Sequence, residues 1–286
     1  MDNQGTAPPA GGGLAALCRR VDYDRYLMAG FAPPEVRPAL LALIAFSYEI
    51  GRVREMVSEP MLGQIRLQWW REALDGIYAG TPRAHETVGP LAAAIAGHEL
   101  PREVLGAMID AREADLSDEP PADMAALVAY AGATAGALNE MMAVVLAPGD
   151  QATAHLARDR GTAWGLAGLM RSVPAHLAGG RVWLPQDSLA AAGFDAERAG
   201  DAVNRATVCR MVADVAANAE GILVRASNAS KTGRRRARSA LLAGPFSRYY
   251  LRRLARAGHD PWKPSVESGR LSRLRVLGFA AALGRY

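Results

Sequence analysis

Between Pro33 and Val57 the chain reads PPEVRPALLALIAFSYEIGRVREMV, and the order of its apolar residues decides the fold class. Val36, Leu40, Leu43, Ile50, Val53 and Val57 recur at three-, four- and seven-residue steps. That spacing gathers them on one face of a helix. The segment is expected to be helical throughout, with Ser47 to Glu59 as its polar, site-like portion. Pro60 opens the next helix, because proline suits a first turn whose N–H has no partner. Leu62, Ile65, Trp69, Ala73 and Ile77 repeat the period until Gly80, Thr81 and Pro82 break it.

The same pattern extends outward. Helices are expected over Glu86–Ala96, Arg102–Leu116, Asp123–Leu146 and Ala152–Ser172, punctuated by Pro101, Pro120–Pro121 and Pro148–Gly149. Val173 to Gln186, with Pro174, Gly179–Gly180 and Pro185, reads as irregular. A long helix follows from Asn204 to about Lys231, and Gly244–Pro245 and Pro261–Pro264 interrupt the last ones. No alternating strand pattern persists, and nothing repeats at a fixed period. The fold class is all-α: a single-domain helical bundle over residues 14–286 around a central cavity, preceded by a disordered tail, residues 1–13.

Half of the 286 residues are hydrophobic, enough for a core and an enclosed cavity. The net charge of +4 permits an acidic partner or a membrane surface without requiring one. Cys18 and Cys209 have no metal-type spacing and read as two buried thiols of a reducing compartment. The N-terminus lacks a signal or transit pattern, and no apolar run is long enough to span a bilayer. A cytoplasmic protein, reaching at most the inner face of the membrane, is expected.

Catalytic signatures are sparse. There is no G-x-S-x-G, P-loop, C-x-x-C or H-E-x-x-H motif, and the five histidines do not pair at ligand spacing. Two stretches carry information. One is Phe46 to Glu55, followed by Arg66-Leu67-Gln68-Trp69-Trp70-Arg71. The other runs from Gly161-Thr162-Ala163-Trp164 through Arg171-Ser172 to Arg181-Val182-Trp183-Leu184-Pro185-Gln186-Asp187. Together they resemble the squalene/phytoene synthase family, the head-to-head prenyl synthases, over roughly residues 14 to 284.

That resemblance implies an isoprenoid-synthase-type bundle in which two acidic clusters hold Mg²⁺ against prenyl diphosphates. A leaving diphosphate needs its charge neutralised, and Mg²⁺ takes carboxylate oxygens. Here the frame of the first cluster falls on Gly51, Arg52 and Glu55, and that of the second on Ser172, Ala175 and His176. Most of the ligands are missing, so no metal or cofactor is expected.

A branch of the family that resembles the chain more closely, the phytoene-synthase-like assembly factors of respiratory complex I, lacks the clusters too. The shared residues include Asp22-Tyr23, Tyr26-Leu27, Val57-Ser58-Glu59, Arg66, Trp70, Asp75 to Tyr78, Arg171 and Pro174. This implies a non-catalytic role, with a complex I subunit or intermediate as partner and a lipid or isoprenoid as ligand. The alternative is a divergent Mg²⁺-dependent prenyltransferase in which Glu55, Glu59, Asp75 and Asp159 substitute as ligands.

The candidate site therefore comprises Tyr48, Gly51, Arg52, Glu55, Arg171, Ser172 and His176. Each also has a plain reading. Glu49, Arg52, Glu55 and Glu59 form an ordinary charge ladder at helical spacing. Trp69 and Trp70, adjacent and so unable to face one core together, read as packing, or as one packing and the other lining a cavity or an interface, and His176 reads as a loop residue. Arg171 is either a helix cap or an anion ligand. Arg234, Arg235 and Arg236 belong to a basic run that is either a solvated turn or a contact for anionic lipid. Nucleic-acid binding is not expected, since no aromatic residues interleave with that run.

Overall fold

Capping residues set many helix starts. Asp22, Asp123, Asp150 and Ser230 each accept a hydrogen bond from a backbone N–H in the following first turn. The computed structural model describes residues 13–198, 201–225, 227–266 and 269–284. Among them the chain is helical with no strand. The proposed tail lies outside the described residues except for Gly13, which precedes the first helix.

The first half holds α1 (Leu14–Val21), α2 (Tyr23–Ala29), α3 (Arg37–Gly51), α4 (Pro60–Tyr78), α5 (Val88–His98), α6 (Arg102–Asp110), α7 (Met124–Ala131) and α8 (Ala137–Leu146). The second holds α9 (Gln151–Arg171), α10 (Val173–Ala178), α11 (Gln186–Ala191), α12 (Ala202–Leu223), α13 (Lys231–Arg236), α14 (Arg238–Leu241), α15 (Ala243–Arg256) and α16 (Arg270–Ala282). A π-turn, Gly132–Gly136, joins α7 to α8, so the helix expected from Asp123 to Leu146 is continuous but locally widened.

Helix α9 lies at the centre. Its Leu156 and Ala157 join a core built on α3, α5 and α8, while Ala163, Leu166 and Met170 join a second built on α12 and α15. Glycines let it approach the π-turn closely: a Cβ at Gly161 would stand 2.5 Å from the Ala135 carbonyl oxygen. Trp69 and Trp70 both pack, edge to face at 5.1 Å, with Phe46 and His85 around them. Cys18 is buried and its thiol donates to the Leu41 carbonyl; burial pushes its pKa up to about 12. Cys209 is only partly buried.

Helix boundaries differ from the sequence reading in several places, one being the helix expected over Arg102–Leu116, where α6 stops at Asp110 and a 3₁₀ turn covers Ala111–Leu116. The helix of Ser47 to Glu59 is not one element: α3 stops at Gly51, a 3₁₀ turn covers Val53–Met56, and Val57 and Glu59 are extended. Glu59 precedes Pro60, whose ring disfavours a helical predecessor. The stretch Val173 to Gln186 is not wholly irregular, since it contains α10 and the first residue of α11. Pro174 sits in the first turn of α10, where its missing N–H breaks no bond. Pro245 likewise lies in the first turn of α15 rather than interrupting it.

Helix α12 ends at Leu223 rather than near Lys231. The Leu223 carbonyl accepts from Arg160 Nη1 at 2.7 Å and Arg248 Nη2 at 3.2 Å. Burial, with the nearby Arg248 charge, lowers the Arg160 pKa to about 10.

Candidate functional site

The C-terminal end of α3 and the C-terminal end of α9 face one another across a pair of small adjoining cavities. One, of about 260 Å³, is lined by Asp22, Arg25, Ser47, Tyr48, Gly51, Arg52, Glu55 and Arg112, among others. The other, of about 210 Å³, is lined by Arg25, Ser47, Arg112, Tyr130, Trp164, Ser172 and His176, among others. Arg25, Ser47 and Arg112 line both. Each cavity is smaller than the ~300–1,000 Å³ of typical small-molecule sites.

Tyr48, Gly51, Arg52 and Glu55 are thus brought to the first cavity, and Ser172 and His176 to the second. Two further residues, Arg25 and Arg112, hold the ground between them. Arg25, from α2, pairs with Asp22 at 2.7 Å and reaches Asn139 Oδ1 at 3.5 Å. Arg112 comes from a 3₁₀ turn, Ala111–Leu116, that follows α6. Its guanidinium lies against Gly51, where a Cβ would stand 3.3 Å from Nη2. The space next to the first frame position is therefore occupied by a cation.

Arg112 is held in turn. Its Nη1 donates to Tyr130 Oη at 2.8 Å and to Asp115 Oδ2 at 3.3 Å. Tyr130 donates to Asp115 Oδ1 at 2.6 Å, and Arg181 approaches the same oxygen at 3.9 Å. Burial holds the Tyr130 phenol well above its ordinary pKa, so it stays a donor. Asp115, Tyr130, Arg112 and Arg181 form a connected polar wall beside the cavity.

The charge of the site follows. The guanidiniums of Arg25, Arg52 and Arg112 and the carboxylates of Asp22 and Glu55 line the two cavities. Asp22 is already engaged by Arg25, and Arg52 stacks over Tyr48 at 5.2 Å and pairs with Glu49 at 3.6 Å. Among the described residues, no three His, Cys, Asp or Glu side chains gather to form a metal site. This donor set does not fit Mg²⁺, which favours carboxylate oxygens. It suits an anion, which guanidiniums can bind directly.

Arg171 lies apart from these cavities' lining and stacks on the Tyr250 ring at 3.7 Å. Tyr250 donates to Asp24 at 3.2 Å, and Asp24 meets Arg273 at 3.1 Å. The basic run is also elsewhere and is divided. Arg234 turns inward to the Ala229 and Ser227 carbonyls. Arg235 and Arg236 line a separate groove of about 680 Å³ with Phe31, Arg37 and Arg238.

His176 is partly buried and its Nδ1 has no partner among the described residues. Burial, and then the Arg181 charge, hold its pKa below the ordinary histidine value of about 6.5. The unfolded chain therefore takes up this proton first as pH falls. The stability His176 contributes is complete above about 6.5 and is lost as pH drops through its folded value. Urea midpoints measured from about pH 7.5 to 5 are expected to fall less steeply in His176→Gln than in the wild type. Identical slopes would contradict this.

Arg25 and Arg112 stand outside both motif frames. Arg25 lies inside the Asp22 to Leu27 stretch that carries family likeness, which is the one sequence signal for it. Arg112 lies in an ordinary helical segment, and no local pattern points to it.

Comparison with known proteins places these features in context. The family model described as squalene/phytoene synthase matches residues 18–276. The chain is 30% identical over 251 residues to mouse (Mus musculus) NADH dehydrogenase (ubiquinone) complex I, assembly factor 6, covering 88% of this chain and 75% of that protein. It is 27% identical over 179 residues to a phytoene synthase of Rhodobacter capsulatus, covering 63% of this chain and 53% of that one. A dehydrosqualene synthase structure superposes with a TM-score of 0.78 at 15% identity, covering 96% of both chains. That last likeness concerns the fold.

Proposed function

The chain belongs to the squalene/phytoene synthase family, and we propose that it serves the assembly of respiratory complex I rather than joining prenyl diphosphates. The observation that carries this reading is the guanidinium of Arg112 lying against Gly51. Prenyl transfer needs metal ions where the diphosphate departs, and a fixed cation beside a side-chain-free position repels them. Similarity to complex I assembly factor 6 over most of the chain supports the role.

In this reading the cavities are retained from the family fold and their polar groups serve binding. Arg25, Arg52 and Arg112 would take the anionic end of a lipid or isoprenoid without a metal. The partner is a complex I subunit or assembly intermediate. The protein works at the inner face of the membrane, from the cytoplasmic side.

Deleting the gene and measuring NADH:ubiquinone oxidoreductase activity in isolated membranes tests this. Activity is expected to fall severalfold and to return when the wild-type chain is supplied. The purified protein, given farnesyl or geranylgeranyl diphosphate and Mg²⁺, is expected to release no pyrophosphate. Normal complex I in the deletion strain, or pyrophosphate release, would overturn the proposal.

A further inference from the structure

Helix α16 leaves large apolar side chains uncovered. Leu271, Leu274 and Phe279 along it, and Leu283 just beyond its end, are 73%, 45%, 72% and 55% exposed. By helical periodicity they share one broad side with Arg275, while the buried Leu277 and Ala280 mark the side that faces the protein. Phe279 and Leu283 also border a groove of about 500 Å³ between α15 and α16, opposite Arg248, Arg252 and Arg256. Those three arginines stand four residues apart, on one row of α15.

This face is cationic. Arg252, Arg256 and Arg275 are exposed, and none makes an ion pair among the described residues. Among the described residues, Asp24 pairs with Arg273 of α16, and Asp260 with Arg205. Among the described residues, the groove thus joins guanidiniums that make no ion pair to exposed Phe and Leu side chains.

Those two properties together select the partner. Water leaves the apolar row unfavourable, at ~25 cal/mol for each Å² left exposed. The boundary of an anionic bilayer meets both, with acyl chains under the apolar row and phosphates against the guanidiniums. No helix among the described residues is long and apolar enough to cross a membrane, so such contact lies in the membrane plane.

We propose that the α15–α16 face is a docking surface for anionic phospholipid membranes. It is separate from the two motif cavities and from the Arg235–Arg236 groove, and it does not depend on the complex I reading.

Co-sedimentation of the full chain with vesicles tests it, comparing pure phosphatidylcholine with phosphatidylcholine containing about 30% phosphatidylglycerol. Binding to the anionic vesicles is expected to be at least about tenfold tighter. Arg252→Glu/Arg256→Glu is expected to lose about tenfold or more, and Phe279→Ser/Leu283→Ser a comparable factor. Both pairs are surface changes, so unchanged thermal unfolding serves as the folding control. Arg235→Glu/Arg236→Glu is expected to bind like the wild type. No binding to anionic vesicles, undiminished binding by both α15–α16 variants, or loss confined to the Arg235/Arg236 variant would overturn the proposal.

Discussion

Asp115→Ala is expected to lower the free energy of unfolding by roughly 3–5 kcal/mol, the range for breaking a buried ion pair from one side. The Asp115 side chain is 8% exposed and is the only carboxylate that Arg112 meets in an ion pair among the described residues. It accepts from Arg112 and from the Tyr130 hydroxyl, and Arg181 stands at 3.9 Å. Its removal leaves the Arg112 guanidinium largely buried without a counter-charge. Tyr130→Phe removes two hydrogen bonds, the one accepted from Arg112 and the one donated to Asp115, and keeps the ion pair, so a smaller loss of about 1–3 kcal/mol is expected. Urea unfolding of the three proteins decides the matter. A loss below about 1 kcal/mol for Asp115→Ala would show that water already screens the wall. The functional consequence is local: Arg112 borders both cavities, so freeing it alters the site as well as the fold.

Gly161→Val is expected to cost about 3 kcal/mol or more, the upper range for overpacking. Helix α9 crosses the π-turn here with no room for a side chain. A Cβ would stand 2.5 Å from the Ala135 carbonyl oxygen and 2.7 Å from the Asn139 Cβ. The first contact is backbone, which cannot swing aside as a flexible side chain can. Because α9 joins both halves of the core, displacing it disturbs packing on each side. Gly168, on the same helix, has nothing within 4 Å of its Cβ position. Gly168→Ala is therefore expected to stabilise by up to about 1 kcal/mol through helix propensity. Thermal unfolding should rank Gly168→Ala, wild type and Gly161→Val in that order. Equal midpoints for Gly161→Val and the wild type would mean that α9 and the π-turn can separate without loss.

The electrostatic content of the site departs from what the residues at the motif frames suggest. Taken from the sequence, Arg52, Glu55, Ser172 and His176 make a nearly neutral floor. In the fold, Arg52 turns toward Glu49 and Tyr48, and Arg25 and Arg112 supply the central cations. Arg171, equally available as an anion ligand by sequence, is instead spent on the Tyr250 ring. The basic run likewise loses Arg234 to backbone carbonyls. In each case the deciding partner comes from another element or from a local turn that composition does not reveal.

Apolar periodicity by itself determined that the chain is helical, because residues three and four apart share a helix face whatever lies beyond it. The stretches from Phe46 and from Gly161 carried the family likeness, and their frames already showed that most acidic ligands were gone. Helix ends were less legible. Pro60 forced an extended Glu59, a rule of neighbours, yet α12 stopped where two distant arginines could take the Leu223 carbonyl. Only the tertiary structure put Arg112 beside Gly51. Cavity walls are assembled from residues far apart in the chain, and a guanidinium's neighbours depend on how helices pack rather than on its own surroundings in sequence.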